Sequence, residues 1–133
     1  MQDRPTACEL LDAVRQFLEA QVVPMLAGAR QFHARVAANV LAIVARELRD
    51  GDAFLREEWR RLAVLVGQAP DTEPPTEREA LQAAVAALNT RLAARIRAGD
   101  ADREPYRAAV LEHLRATVTE KLRIANPGYL AER

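Results

Sequence analysis

The chain is 133 residues long with 19 basic and 19 acidic side chains, and its zero net charge gives neither a nucleic-acid backbone nor an anionic membrane an electrostatic hold. Half of the residues are apolar but only 5% are aromatic, and the apolar half is led by 27 alanines and 16 leucines, the strongest helix formers. A chain of this length makes one domain around one core, and this composition makes it helical, packed closely on small side chains.

The spacing predicts a first helix over 6–23. Thr6 and Glu9 stand three apart as a capping box, and Leu10, Leu11, Val14, Phe17, Leu18 and Val22 form its expected buried stripe. Pro24 supplies no amide to the preceding turn and ends or kinks the helix near Val23. A second helix, 30–49, carries Phe32, Val36, Val40, Ile43, Val44 and Leu48 at helical spacing, and its alanines place it at the centre of the bundle. Asp50, Gly51 and Asp52 are expected to close it and to cap a third helix over 53–66. There Leu55, Trp59, Leu62, Ala63 and Val66 face the core and Gly67 is the stop. Residues 68–75 (QAPDTEPP) read as a surface loop.

Thr76 and Glu79 suggest a second capping box, opening a helix over 77–98 with Leu81, Val85, Leu88, Leu92 and Ile96 as its seam. A fifth helix, 104–123, is expected to take its cap from Asp100 or Asp102, with Pro105 in the first turn and Tyr106, Val110, Leu111, Leu114, Val118 and Leu122 along one side. The expectation is an all-α, single-domain bundle of about five helices over residues 1–133, its fourth and fifth helices an antiparallel pair.

The sequence contains no serine, which excludes every Ser-based triad, and Cys8 alone makes no internal disulfide. The first residues lack a basic segment followed by an apolar run, so a cytoplasmic location is expected. The most apolar stretch, residues 36–45, is too short to cross a membrane. Two histidines and one cysteine without ligand spacing leave no metal site. No glycine-rich loop cradles a nucleotide, and no cofactor is expected.

Within the second helix, Arg35, Asn39, Ala42, Arg46 and Arg49 lie along one strip. Planar guanidinium groups suit a carboxylate or phosphate, so the strip reads either as an anion- or partner-docking site or as a set of ion pairs with neighbouring helices. Asn39, between Val36 and Val40, is expected to be a buried amide bridging helices. His33 is expected half-buried beside Phe32, and His113, off the main stripe, is expected to face solvent. Cys8 reads as a packed thiol. Arg91, Arg95 and Arg97 complement the dipole of their own helix. No nucleophile stands beside either histidine, so no catalytic residue is assigned; the ligand or partner candidates are His33, Arg35, Asn39 and Arg46.

Four stretches, RPTACELLDAVRQFLE (residues 4–19), FHARVAANVLAIVARE (32–47), LNTRLAARIRAGD (88–100) and HLRATVTEKLRIANPGYL (113–130), resemble a bacterial family of all-helical proteins known as a domain of unknown function. The resemblance implies no activity. It implies genes placed beside an aminoglycoside-phosphotransferase-like kinase and an acyl-CoA dehydrogenase, and hence an accessory role in acyl-CoA or related catabolism. The family's tail carries a basic residue before the tyrosine, where this chain has Gly128, so no docking role carries over to the tail. The functional expectation is a non-enzymatic interaction protein for a kinase-like or acyl-CoA-dehydrogenase-like partner, with a homodimer as a further possibility. The alternative is a small-molecule or anionic-ligand binder, or a cryptic enzyme, built on His33, Arg35, Asn39 and Arg46.

Overall fold

The computed structural model of the chain describes residues 4–69 and 71–131. It is all-α, with helices α1 (Ala7–Phe17), α2 (Gly28–Leu65), α3 (Arg78–Arg97), α4 (Tyr106–Ala125) and α5 (Gly128–Ala131), and no strand among the described residues.

The Thr6 capping box forms as expected: its hydroxyl accepts from the Glu9 amide at 3.3 Å and its own amide donates to the Glu9 carboxylate at 2.7 Å. Two orphan amides are thereby satisfied. Toward Pro24 the α-helix loosens into a π turn (Leu18–Val22), where the Val23 amide donates to the Leu18 carbonyl, and then tightens into a 3-10 turn (Val23–Met25). The missing proline amide accounts for the abandoned α-helical ladder.

The break expected at Asp50, Gly51 and Asp52 does not occur, and α2 runs through it for 38 residues. Neither aspartate acts as a cap; Asp52 pairs with Arg78 instead. A helical glycine costs only about 1 kcal/mol relative to alanine, less than flanking packing supplies. An added Cβ at Gly51 would meet the Glu47 carboxylate at 2.6 Å, the mobile end of a long side chain. Gly51→Ala is therefore expected to raise stability by about 0.5 kcal/mol, the propensity gain less the cost of moving Glu47; a fall in melting temperature in a thermal scan would contradict the continuous helix.

The end of α2 is built by side chains as well as backbone. Gly67, at φ +72°, lets its amide donate to the Val64 carbonyl at 3.1 Å and the Gln68 amide donate to Ala63 at 2.9 Å, a Schellman closure. Arg95 Nη1 and the Tyr106 hydroxyl both donate to the Leu65 carbonyl, at 2.6 and 3.0 Å, and Arg91 Nη2 donates to that of Val66 at 3.2 Å. Arg91 and Arg95 thus complete the end of α2, beyond the dipole of their own helix. The Arg95 guanidinium also lies 4.3 Å from the Tyr106 ring centre and bonds Asp100, which holds its pKa above the ordinary value.

Two further caps differ from expectation. Glu77 precedes α3 without a side-chain cap, so Thr76 and Glu79 form no box; the Thr76 carbonyl accepts from Arg56 instead. At α4 the Glu104 carboxylate accepts from the Ala108 amide at 3.1 Å, while Asp100 and Asp102 belong to a separate 3-10 turn.

The chain forms two compact units, one of residues 1–51 with 124–126 and one of residues 52–123 with 127–133. The second unit holds the larger core. Trp59, Leu62, Leu65 and Val66 of α2 and its closing turn meet Leu81, Val85, Leu88 and Leu92 of α3 and Val110 of α4. Most of the stripes expected for the third and fourth predicted helices are here, but Ile96 is 39% exposed, Leu55 is only half-buried, and Leu65 lies outside the expected set.

In the first unit the stripes are inverted. No residue of α1 is buried, and Leu10, Val14, Phe17, Phe32, Val36, Val40, Val44 and Leu48 are all more than two-fifths exposed. The buried apolar residues among those described there are Val23, Ala38 and Ala45. Alanine permits close approach, and the Cys8 thiol reaches the Ala45 carbonyl at 3.7 Å, so α1 docks on the alanine face of α2. The Phe/Val face of α2 is left outward, and with it the expectation of a buried stripe there fails.

Candidate functional site

The predicted strip on α2 divides. Arg35 and Asn39 are exposed, so Asn39 is not the buried amide expected. His33 is likewise exposed, its ring edge-on to Phe32 with centres 5.6 Å apart. Arg46 is half-buried and donates through Nε to the Ile124 carbonyl at 2.6 Å. It lines a groove of about 410 Å³ with Asp12, Arg15, Ala42, Ala45 and Arg49. In that groove Arg15 and Arg49 share the Asp12 carboxylate, at 3.5 and 3.8 Å, and Arg15 also binds Glu19 at 2.8 Å. The four candidates therefore do not converge: Arg46 sits in the groove, while His33 and Asn39 border the outward apolar face.

A polar cluster in the second unit escapes the sequence reading. Arg61 of α2 grips Glu120 of α4 with both terminal nitrogens, at 2.9 and 2.6 Å, and reaches the Thr117 hydroxyl at 3.5 Å. Beside it His113 is only 3% exposed, contrary to the solvent-facing expectation, and its Nδ1 has no hydrogen-bond partner. Burial, and then the Arg61 charge, hold its pKa below the ordinary 6.5, against the pull of Glu58 and Glu120. Glu58, also buried, accepts from Asn89 at 3.2 Å. The inward face of α4 is Val110, His113 and Thr117, while Leu111, Leu114 and Val118 point outward. A spacing search for apolar residues passes over a face that is two-thirds polar.

His113 and Arg61 border a shallow hollow of about 300 Å³ with Val64, Leu65, Ala109, Glu112 and Ala116. Chemically the cluster is a neutral imidazole beside a closed ion pair, an arrangement that fixes α4 on α2. Among the described residues no group of three or more His, Cys, Asp or Glu side chains stands together to hold a metal ion. No helix there is long and apolar enough to cross a membrane.

What distinguishes the molecule is the outward apolar surface of its first unit, whose α2 part runs from Phe32 to Leu48. A family model spans this α2 segment together with α3 and α4. The chain belongs to the family described as Domain of unknown function (DUF6285), matched over residues 24–129. The match leaves α1 outside, so the Phe32 to Leu48 ridge lies within the family's span and the Leu10, Val14, Phe17 stripe precedes it. No curated protein and no solved structure matches the chain.

Proposed function

We propose that this member of the family is a non-enzymatic interaction protein, whose first unit binds another protein through the outward Phe32 to Leu48 ridge of α2. The observation that carries the reading is the inversion itself. Eight large apolar side chains stand outward while the unit buries only Val23, Ala38 and Ala45 among its described apolar residues. A helix pair that leaves its longest apolar ridge in water forgoes most of the stabilisation its sequence offers, and a protein surface laid on that ridge recovers it. Kinase-like and acyl-CoA-dehydrogenase-like proteins, the partners implied by the family resemblance, are the first to present as baits.

Val36→Glu is expected to weaken capture of the partner at least tenfold while leaving the helical circular dichroism unchanged, because Val36 is 43% exposed. Undiminished capture by that variant in a pull-down would rule this face out. The groove of Arg15, Arg46 and Arg49 around a single carboxylate favours a second reading, an anionic ligand. Saturable binding of inorganic phosphate or a small dicarboxylate, lost in Arg46→Ala, would support it in calorimetry.

A further inference from the structure

We propose that the groove between α1 and α2 holds a phosphate group, and that this phosphate works as a clasp, keeping α1 docked on α2. The proposal rests on the anionic-ligand reading above and deepens it by naming the ligand class and what its binding does.

The donors come from both helices. Arg15 of α1 and Arg46 and Arg49 of α2 line the groove around one carboxylate, Asp12, and that carboxylate does not close them. Its Oδ1 stands 3.5 Å from Arg15 and its Oδ2 3.8 Å from Arg49, beyond the roughly 2.7–3.2 Å of a good hydrogen bond. Arg61, by contrast, meets Glu120 at 2.9 and 2.6 Å. Arg46 anchors its Nε on the Ile124 carbonyl, and its two terminal nitrogens have no partner among the described residues. Arg15 is further held by Glu19 at 2.8 Å, so Arg46 and Arg49 are the stronger donors. Three guanidinium groups around one centre suit the three terminal oxygens of a phosphate monoester better than the two of a carboxylate. At about 410 Å³ the groove also has room for the organic part of such an ester.

The α1 helix is the weakly held side of this site. None of its residues is buried, and its polar ties to α2 described above are long, the Cys8 thiol at 3.7 Å from the Ala45 carbonyl and Asp12 at 3.8 Å from Arg49. A helix of 11 residues does not persist alone in water, and its link to α2 is a π turn and a 3-10 turn instead of continuous α-helix. Once undocked, α1 unfolds and takes Arg15 and one wall of the groove with it. A ligand that touches both helices therefore favours the docked state by mass action.

Hydrogen exchange of the full chain, read by mass spectrometry, tests the clasp. Inorganic phosphate is the probe, and sodium chloride holds the ionic strength constant. At ten times the phosphate Kd measured by calorimetry, the amides of α1 are expected to exchange about tenfold more slowly, while those of α3 keep their rates. Arg49→Gln, at a side chain 54% exposed, is expected to weaken phosphate binding at least fivefold and to lose the slowing, with unchanged helical circular dichroism. Asp12→Asn removes the carboxylate that competes for the same guanidinium groups. It is expected to loosen α1 in the absence of phosphate and to bind phosphate more tightly than the parent; unchanged or weaker binding would place the phosphate elsewhere and overturn the proposal. Equal slowing by succinate overturns the choice of phosphate. Saturable binding with no change in α1 exchange overturns the clasp and leaves the anionic-ligand reading in place. Absence of saturable binding of either anion up to about 50 mM, well above a millimolar Kd, removes both.

Discussion

Replacing Leu81 by alanine is expected to lower the unfolding free energy by about 3–5 kcal/mol, and Leu62→Ala by a similar amount. Both side chains have 0% exposure, and they lie on α3 and α2 inside one cluster with Trp59, Val85, Leu88 and Val110. Truncation there loses the transfer energy of three carbons and leaves a cavity whose walls, fixed by Trp59 and by the ion pair between Arg61 and Glu120, close only in part. Domains of this size are stable by about 5–15 kcal/mol, so either change removes a large share of the total. Val64, two residues after Leu62 in α2 but 79% exposed, is the control: Val64→Ala is expected to change stability by less than about 0.5 kcal/mol. Urea denaturation followed by helical circular dichroism measures all three. A Leu81→Ala loss below about 1 kcal/mol would mean that the core of the second unit does not carry the fold.

The core of the second unit was readable from spacing because Trp59, Leu62 and Val66, and Leu81, Val85, Leu88 and Leu92, each form the strongest apolar stripe of their segment and also the face their neighbours meet. In the first half of α2 those two properties separate. Val36, Val40 and Val44 make one apolar face and Ala38 and Ala45 another, and periodicity registers the larger side chains while α1 chooses the smaller, on which it packs more closely. Glycine punctuation shows the same limit. Gly67, at positive φ, ends α2 where expected, but Gly51 in the same helix ends nothing, because packing on either side overrides a propensity cost of about 1 kcal/mol. His113 was the harder case. Its burial follows from Arg61 and Glu120, more than fifty residues apart in sequence, and no local pattern announces that they meet.

That buried histidine contributes to the acid behaviour of the fold. Its pKa is lower in the folded chain than the ordinary 6.5, first because the ring is desolvated and then because Arg61 stands beside it. Below pH 6.5 the unfolded chain therefore takes up a proton that the folded chain still refuses. Stability contributed by the neutral ring is full above pH 6.5 and falls as the pH drops below it, until the folded pKa is reached. The loss from this one residue is expected to appear as a fall in unfolding free energy between pH 7.5 and pH 5.5. His113→Leu removes the titrating group and also the unpartnered Nδ1, in a space already lined by Leu65, Ala109 and Ala116. It is expected to match or exceed the parent at pH 7.5 and to hold more of its stability at pH 5.5, the two unfolding curves diverging only on the acid side. Glu58 and Glu120 are present in both proteins, so the difference between parent and variant isolates the imidazole. Equal acid sensitivity in the two would place the proton uptake elsewhere. Greater sensitivity in the variant would mean that the ring gains a proton on folding, and that Glu58 and Glu120 outweigh burial and Arg61.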